Sequence, residues 1–368
     1  MKPPRIILAA GGTGGHLLPA LSLALAVRRR APEAEFLFIG AGRPLEETIL
    51  APAGLRRAVL KTSGLKGFGL GAKIKALGQC CSAVFEASGL IRDFKPQICF
   101  GAGGYVTVPV GLAARMNGLP LLIHEQNSRP GLSNRFLGRL ARKVMLGFPE
   151  GAAAFPAAKC LVTGNPVRPE IAGLHDLERD FQSLPLTVLV TGGSQGARGL
   201  NRAAAPALAR LVRSGLKLDI VHQAGAADLE QVRKAYQEAG VRALAAEFFQ
   251  DMAALYRRAH LVIARAGAVT VSELAAAGLP SLLVPLPTAA DDHQTVNAGH
   301  LASAGAALLM PEKDLTAETL AGTLRALLSD PAALEKMSRA AAASARLGAD
   351  EEMAAVCLEL IAESARPV

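Results

Sequence analysis

Two polar segments, each directly after an apolar run, carry residue types that can move a proton. His16 ends the segment Gly11-Gly12-Thr13-Gly14-Gly15-His16, and His124-Glu125-Gln126-Asn127 follows the run Leu121–Ile123. The pKa of an unperturbed histidine lies near neutrality, so His16 is the first candidate for a general base, with Glu125 and His124 in reserve. The alternatives are a packing or capping role for the histidine and a turn-forming role for the second segment.

Two glycine-rich segments predict anion sites. Residues 11–16 and 192–199 each lie between a predicted strand and a predicted helix. Backbone N–H groups of such a loop can approach a phosphate at the helix N-terminus, where the helix dipole favours negative charge. Neither loop has the dinucleotide-binding fingerprint, and the sequence has no phosphate-loop motif. For either loop alone, a tight turn that packs helix on strand is the alternative.

A third segment, residues 265–273, joins the predicted strand Leu261–Ala264 to a helix with small residues at its start. Glu273 lies in the first turns of that helix. A carboxylate there can accept two hydrogen bonds from vicinal hydroxyls, as ribose recognition requires. The alternative is an acidic residue that only complements the helix dipole.

The elements that position these segments alternate between strand and helix. In each half, a short buried strand is followed by a glycine loop and an apolar-periodic helix; the first of these helices is expected from about Pro19 to Arg30. We therefore expect an α/β protein of two doubly wound parallel sheets that face one another across a cleft, with ligands at the carboxyl ends of the strands. Further strands are expected in the ranges 35–40, 98–101, 121–124, 143–146, 187–191, 218–223, 281–285 and 307–310.

Composition limits the classes of partner. Residues 1–165 carry a net charge of +13 and residues 166–368 a net charge of −4. The absence of tryptophan and the few aromatic residues argue against stacking on nucleic acid, so a phosphorylated or lipid partner is favoured for the basic half. Five cysteines without metal-ligand spacing predict a reduced, cytoplasmic protein.

Membrane contact is expected to be peripheral. The longest apolar stretch, Ile98–Ala114, is interrupted by glycines and a proline and is short for a membrane span. The stretch Lys61–Phe85 mixes apolar side chains with Lys66, Lys73 and Lys75, which could rest on an anionic leaflet. An ordinary packed helix with solvated lysines is the alternative.

Six motifs in one order resemble a known family. They match the UDP-N-acetylglucosamine:lipid I N-acetylglucosaminyltransferases of peptidoglycan synthesis, the MurG family, from about residue 5 to the C-terminal helix. The motifs are Gly11-Gly12-Thr13-Gly14-Gly15-His16, Gly103-Gly104-Tyr105, His124-Glu125-Gln126-Asn127, Gly164-Asn165-Pro166-Val167-Arg168, Gly192-Gly193-Ser194-Gln195-Gly196-Ala197 and Ala268-Val269-Thr270-Val271-Ser272-Glu273.

The resemblance implies a GT-B fold and an inverting transfer of N-acetylglucosamine (GlcNAc) from UDP-GlcNAc to the MurNAc C4 hydroxyl of lipid I, which forms lipid II. Residues 1–165 would form the acceptor and membrane-facing domain, with residues 349–368 packed back on it, and residues 166–348 would bind UDP-GlcNAc. The enzyme would act in cell-wall synthesis, cell shape and division. It would lie at the cytoplasmic face of the inner membrane, with other wall-synthesis proteins as further partners.

The resemblance also implies roles for individual residues. Ser194 and Gln195 would lie near the diphosphate, Phe249 would contact uracil through its backbone, and Glu273 would hold the ribose. Gln294 and Asn127 would contact GlcNAc, and Arg168 would support the nucleotide. The acceptor would meet Gly103, Gly104 and Tyr105. Thr13, Gly14 and Gly15 would contact UDP-GlcNAc and, together with His16, would also face the acceptor diphosphate. A second group would contact UDP-GlcNAc as well: Ala268, Val269, Thr270, Val271 and Ser272. The loop from Pro285 to Gln294 departs from the family in composition and is one residue longer.

Neither a metal nor a cofactor is expected. The chain has no Asp-x-Asp motif, so helix N-termini and backbone amides at residues 192–196 would stabilise the leaving diphosphate. Three other classes remain open: a nicotinamide dehydrogenase, another GT-B enzyme such as a UDP-GlcNAc 2-epimerase, and a non-catalytic nucleotide-sugar binding protein. The Gly-Gly-Tyr and His-Glu-Gln-Asn motifs favour the transferase, because both lie where an acceptor would bind.

Overall fold

The computed structural model describes residues 3–11, 14–61, 70–193 and 195–364. The chain divides into two compact units. Unit 1 comprises Met1–Pro166 and Gly348–Val368, and unit 2 comprises Val167–Leu347. Each unit has one parallel sheet, so the predicted α/β class with two Rossmann-like domains is confirmed.

Unit 1 has a seven-stranded parallel sheet in the order β3-β2-β1-β4-β5-β6-β7. The strands are β1 (Arg5–Ala9), β2 (Glu35–Gly40), β3 (Arg56–Val59), β4 (Ile98–Gly101), β5 (Leu121–Glu125), β6 (Lys143–Leu146) and β7 (Cys160–Val162). Successive side chains of β1 enter opposite cores: Ile6 and Leu8 pack on one face of the sheet, and Ile7 packs on the other. The strand order reverses between β1 and β4, which is the point where doubly wound sheets bind ligands.

In the described part of unit 1, five α-helices precede the last strand. They are α1 (Gly14–Arg30), α2 (Pro44–Leu50), α3 (Leu70–Phe94), α4 (Thr107–Met116) and α5 (Leu132–Gly138). The expected start of α1 at about Pro19 was wrong, because the helix begins at Gly14 and runs through that proline. His16 therefore lies in the first turn of a helix and not in the preceding loop.

Unit 2 has a six-stranded parallel sheet in the order β10-β9-β8-β11-β12-β13. The strands are β8 (Leu186–Thr191), β9 (Leu218–Gln223), β10 (Leu244–Ala246), β11 (Leu261–Ala264), β12 (Ser281–Leu283) and β13 (Ala307–Leu309). The helices are α6 (Pro169–Ala172), α7 (Arg198–Arg213), α8 (Leu229–Glu238), α9 (Met252–Arg258), α10 (Ala268–Ala276), α11 (His293–Ser303), α12 (Ala317–Leu328) and α13 (Pro331–Ala343). Here the strand order reverses between β8 and β11.

Three strands, β3, β7 and β10, were not predicted from the sequence. All three lie at an edge of a sheet. Their residues are half-buried or exposed, as in β3, where Arg56 and Arg57 face solvent. Edge strands need no continuous apolar run, and they are often short and charged, so the pattern that identifies a buried strand is missing.

The C-terminal helix α14 (Ala349–Ser364) packs against α1 within unit 1. Met353 and Cys357 are buried in the core on that face of the sheet. At the start of the helix, Arg29 Nη2 lies 2.5 Å from Asp350 Oδ2 and 2.7 Å from Glu351 Oε1. An acidic first turn also suits the positive end of the helix dipole, so apolar burial and charge both favour this position.

All five cysteines are free thiols in the structure. Among the described residues, no helix has both the length and the apolar character that crossing a membrane requires.

Candidate active site

His16 in unit 1 has a defined tautomer. Its Nδ1 atom lies 2.9 Å from the backbone oxygen of Gly11. A carbonyl oxygen only accepts hydrogen bonds, so Nδ1 carries the proton and Nε2 is the nitrogen that can take up another. The side chain is half-buried at the start of α1, next to the carboxyl end of β1. This arrangement suits a general base. Gly14 and Gly15 form the preceding positions of the same turn, whereas Thr13 lies outside the described residues.

The loop after β4 packs directly on the loop after β1. Gly103 and Gly104 have φ values of +104° and +89°, and the backbone N of Gly11 donates to the oxygen of Gly103 over 3.2 Å. A Cβ atom on Gly104 would lie 2.5 Å from the oxygen of Gly11, and one on Gly103 would lie 2.9 Å from the imidazole of His16. Glycine is therefore required at both positions. Tyr105, which follows them, is half exposed.

Glu125, at the end of β5, is buried and accepts four hydrogen bonds. Its Oε1 accepts from the backbone N of Asn127 at 2.9 Å and from Asn127 Nδ2 at 3.1 Å. Its Oε2 accepts from the backbone N of Gly131 at 3.1 Å and from Asn134 Nδ2 at 2.9 Å. Both oxygens are fully engaged, so the carboxylate orients Asn127 and fixes the loop that leads to α5.

His124 is also fully engaged. Its Nε2 donates to the oxygen of Gly164 over 3.1 Å, and its Nδ1 accepts from Gln126 Nε2 at 3.0 Å. Complete burial lowers the pKa of His124 to about 4, against a smaller opposing effect of the hydrogen bond to Gly164. The imidazole is therefore neutral, and both ring nitrogens hold neighbouring loops in place.

Asn134 was not predicted from the sequence. It is buried in α5 and donates to the oxygen of His124 over 3.1 Å as well as to Glu125. Its Nδ2 also lies 3.5 Å from the position that a Cβ atom on Gly103 would take, and the His16 ring borders the same position. Asn134 therefore belongs to the same cluster as His16. A single asparagine between Ser133 and Arg135 gives no sequence signal of this contact.

In unit 2, the glycine loop after β8 packs against the loop after β9. Gly193 and Gly196 have φ values of +86° and +74°, and the backbone N of Gly196 donates to the oxygen of Gly193 over 3.1 Å. A Cβ atom on Gly196 would lie 2.0 Å from the oxygen of Ala224, so no other residue fits there. Gln195 is exposed. Ser194, which was predicted to lie near the diphosphate, is outside the described residues.

Gln223, at the end of β9, joins this loop to the predicted uracil contact. Its Nε2 donates to the oxygen of Gly193 over 2.9 Å, and its Oε1 accepts from the backbone N of Phe249 at 3.0 Å. The N–H of Phe249 is therefore used within the protein, and the backbone group it can offer a base is its carbonyl oxygen. Gln223 was missed because a lone glutamine at a strand end carries no motif.

Glu273 in α10 is buried beside a cation. Its Oε1 lies 2.9 Å from Nε of Arg168, the residue that precedes α6. Burial raises the pKa of Glu273, while the charge of Arg168 and its hydrogen bond act in the opposite direction. Of the preceding residues of the predicted segment, Ala268 and Val271 are buried, and the others are half-buried: Val269, Thr270 and Ser272.

Gln294 is the second residue of α11. Its Oε1 accepts from the backbone N of Leu286 at 3.0 Å, which ties the helix to the loop that departs from the family. Asp291 and Asp292, just before the helix, both have positive φ. Such backbone conformations are costly for residues other than glycine and are common near functional sites.

Each unit thus collects its predicted residues at the carboxyl edge of its own sheet. In unit 1 the cluster contains His16, Gly103 and the segment 124–127. In unit 2 it contains the loops after β8 and β11, with Arg168 and Glu273. No group of three or more His, Cys, Asp or Glu side chains with metal-binding geometry occurs in the part of the chain that the structure describes. The metal-free reaction stays a prediction.

Comparison with known proteins identifies the family. Residues 6–146 match the glycosyltransferase family 28 N-terminal domain, and residues 187–353 match the glycosyltransferase family 28 C-terminal domain. A protein of Methylococcus capsulatus, the UDP-N-acetylglucosamine–N-acetylmuramyl-(pentapeptide) pyrophosphoryl-undecaprenol N-acetylglucosamine transferase, is 46% identical over 96% of this chain and 98% of its own. The transferase of the same name from Chromohalobacter salexigens is 45% identical over 96% of both chains.

Solved structures give the same result. The crystal structure of Acinetobacter baumannii MurG superposes with a TM-score of 0.80 at 33% identity, over 97% of this chain and all of that one. A putative UDP-N-acetylglucosamine 2-epimerase from Listeria monocytogenes superposes with a TM-score of 0.70 at 16% identity, covering all of this chain and 99% of that one, and shows only the shared fold. The chain belongs to glycosyltransferase family 28, in the MurG family of N-acetylglucosamine transferases.

Proposed function

We propose that this protein transfers GlcNAc from UDP-GlcNAc to the MurNAc C4 hydroxyl of lipid I, with inversion at the anomeric carbon, and forms lipid II. The observation that carries the proposal is similarity at 45–46% identity, over nearly the whole chain, to transferases named for this reaction. The two side-chain clusters agree with it: unit 2 offers groups suited to a nucleotide, and unit 1 offers a base.

Unit 2 is the proposed donor domain. Glu273 accepts hydrogen bonds from the ribose hydroxyls, and Arg168 holds the carboxylate in place. The carbonyl of Phe249 pairs with uracil. The loop with Ser194 and Gln195 meets the diphosphate, as does the start of α10 from Ala268 to Ser272, because helix N-termini favour anions. Gln294 contacts the GlcNAc group, and Asn127 keeps the role in GlcNAc binding that the resemblance implies.

Unit 1 is the proposed acceptor domain. Gly103, Gly104 and Tyr105 line the acceptor beside His16, and residues 13–15 meet both the acceptor diphosphate and the donor. The tight contact between the loops after β1 and β4 supports this assignment, since it leaves backbone groups at the strand ends close to the imidazole.

His16 is the proposed general base. The MurNAc O4 atom attacks the anomeric carbon and forms the new C–O bond, while the bond from that carbon to the diphosphate oxygen breaks and UDP leaves as an anion. Nε2 of His16 takes the proton from O4, because Nδ1 already carries one. The N–H groups of Gly193 and Gly196 donate to Thr191 and Gly193 within the protein, so the other backbone N–H groups of residues 192–196 stabilise the developing charge on the diphosphate.

Glu125 and His124 are proposed as positioning residues. The four hydrogen bonds on Glu125 occupy both of its carboxylate oxygens, and the low pKa of His124 makes that imidazole a poor base at neutral pH. They hold Asn127, Asn134 and the neighbouring loops. His16 is thereby preferred over the two reserve candidates.

Peripheral attachment to the cytoplasmic face of the membrane, near other wall-synthesis proteins, is part of the proposal. Unit 1 contains the whole basic half of the sequence, residues 1–165. Phe85 on α3 is 71% exposed, and Met116 at the end of α4 is 66% exposed beside Arg115. Exposed apolar side chains among basic ones suit an anionic lipid surface. Lys66 lies outside the described residues, and the side chains of Lys73 and Lys75 are not described either.

The test is a transfer assay with radiolabelled UDP-GlcNAc and a short-chain lipid I analogue. Label is expected in a disaccharide lipid, with release of UDP. His16→Ala should lower kcat by about 100-fold or more while donor affinity is kept, and Glu273→Ala should weaken donor binding. Binding of UDP-GlcNAc without transfer to this acceptor would refute the proposed acceptor and favour an epimerase or a different transferase.

A further inference from the structure

Gln223 lies between the two loops that the proposed donor site uses. It is the last residue of β9, the strand between β8 and β10 in the sheet of unit 2. In the strand register its neighbours are Thr191, which ends β8, and Ala246, which ends β10. The glycine loop proposed for the diphosphate follows β8, and Phe249, proposed to contact uracil, follows β10. Because parallel strands end at the same edge of a sheet, Gln223 lies next to both segments.

The side chain of Gln223 is bonded to both segments at once. Its Nε2 donates to the oxygen of Gly193 over 2.9 Å and to Oγ1 of Thr191 over 3.3 Å, and its Oε1 accepts from the backbone N of Phe249 at 3.0 Å. A carbonyl oxygen only accepts hydrogen bonds and a backbone N–H group only donates them, so the amide fits in one orientation. The two ends of one side chain therefore hold two different loops.

The bond to Gly193 acts on the glycine turn itself. The oxygen of Gly193 also accepts from the backbone N of Gly196 at 3.1 Å, which closes the turn, and both glycines have positive φ. Gln223 is 1% exposed and Thr191 is 5% exposed, so water cannot easily replace the hydrogen bonds between them and the turn. The position of the turn therefore depends on a buried amide that also holds Phe249.

We propose that Gln223 is a positioning residue for the donor: its amide couples the loop that meets the diphosphate to the loop that meets uracil, so that both are in place for one UDP group. Gln223 acts through these loops and not by touching the ligand. The inference rests on the proposed donor site and deepens it, since it assigns Nε2 to the diphosphate side and Oε1 to the uracil side.

The test compares uridine with UDP on the full-length protein, by displacement of a fluorescent UDP-GlcNAc analogue. Uridine affinity reports on the uracil side, and the ratio of UDP affinity to uridine affinity reports on the diphosphate side. Gln223→Glu keeps an acceptor for the N–H of Phe249 but places a carboxylate oxygen against the oxygen of Gly193. Uridine affinity should therefore stay within about twofold of the parent, whereas UDP affinity should fall about tenfold or more, because the two oxygens repel and displace the turn.

Gln223→Leu removes both ends of the amide without adding a charge. Uridine affinity should fall about two- to tenfold, the effect of losing one neutral hydrogen bond, and the ratio of UDP affinity to uridine affinity should fall by a similar factor. If Gln223→Leu keeps the ratio of the parent, Nε2 does not position the diphosphate loop. If it keeps the uridine affinity of the parent, Oε1 does not position the uracil contact. Either result overturns the coupling.

The pH dependence of Gln223→Glu gives a readout that a loss of packing would not change. A protonated carboxyl group can again donate to the oxygen of Gly193, as the amide does. The UDP affinity of this variant, relative to that of the parent at the same pH, should therefore recover as the pH falls through the pKa of the introduced carboxyl group, which burial raises. Gln223→Leu should show no recovery. The absence of recovery in Gln223→Glu would contradict the proposal.

Gln237→Glu is the matched control. Gln237 is an exposed glutamine near the C-terminal end of α8 in the same unit, so the substitution introduces the same charge without touching either loop. Both affinities should match those of the parent at every pH. If both substitutions at Gln223 lower uridine and UDP affinity by one common factor, the side chain only fills space and the proposal fails. A parent protein that binds neither UDP nor uridine would overturn the donor site itself.

Discussion

The substitution Glu125→Gln distinguishes two possible roles of the Glu125 carboxylate, which are to hold a loop in place or to accept a proton. In the structure Oε1 accepts from two groups of Asn127, and Oε2 accepts from Gly131 and Asn134. Glutamine has nearly the same shape, but one of its terminal atoms is an NH2 group. Whichever side that group occupies, it faces two N–H donors and can accept from neither.

The cost follows from the burial of the site. Glu125 is 2% exposed, so water cannot easily replace the lost acceptor. Of the donors only Asn134 is buried, whereas Asn127 is half-buried and Gly131 is exposed, so the loss of two hydrogen bonds should cost about 1–3 kcal/mol in total. Because a typical domain is stable by only about 5–15 kcal/mol, we expect a large decrease in the free energy of unfolding.

Urea unfolding followed by circular dichroism measures this change, since the chain has no tryptophan. Glu86→Gln is the control: Glu86 is an exposed acid on α3 of the same unit, and its substitution should change stability by less than about 0.5 kcal/mol. Activity of Glu125→Gln should fall together with its stability, through the displaced Asn127 and Asn134.

The opposite pattern would refute this reasoning. If Glu125 were the general base, the glutamine variant would keep the urea midpoint of the parent. Its kcat would fall by about 100-fold or more, and the acidic limb of the pH–rate profile would disappear. That result would transfer the catalytic role from His16 to Glu125.

Three further predictions follow from the same structure. Burial holds the pKa of His124 and of His222 at about 4, below the ordinary value of 6.5, so only the unfolded chain binds these protons between pH 6.5 and 4. The urea midpoint should therefore decline as the pH falls through that range, by about 3 kcal/mol per histidine at most, and His124→Gln should show a shallower decline. Transfer should continue at an undiminished rate in a chelator, whereas loss of activity with rescue by magnesium would refute the metal-free reaction. Phe85→Ser should weaken flotation with anionic liposomes about tenfold, the effect of losing one aromatic side chain that the membrane buries. The control Leu184→Ser, which removes an exposed apolar side chain from unit 2, should not weaken flotation. Equal flotation of the parent and both variants would show that Phe85 is not part of the membrane surface.

Much of the fold could be predicted because the signals are local. A buried parallel strand is a continuous apolar run, and a glycine loop followed by a periodic helix marks its carboxyl end, so the central strands of both sheets and their order along the chain were predicted. The edge strands β3, β7 and β10 were missed, since an edge needs no apolar run. The start of α1 was also missed, because consecutive glycines resemble a loop even where the backbone is helical.

The sequence by itself determined the α/β class, the two glycine-loop halves, the candidate residues and the family, because each depends on residue types and spacings within short segments. Only the tertiary structure decided what these side chains do to one another. The contacts between Gly103 and His16, between Gln223 and Phe249, and between Arg168 and Glu273 join residues from different elements. A hydrogen bond depends on distances of a few tenths of an ångström between atoms that folding brings together, and sequence spacing does not contain those distances.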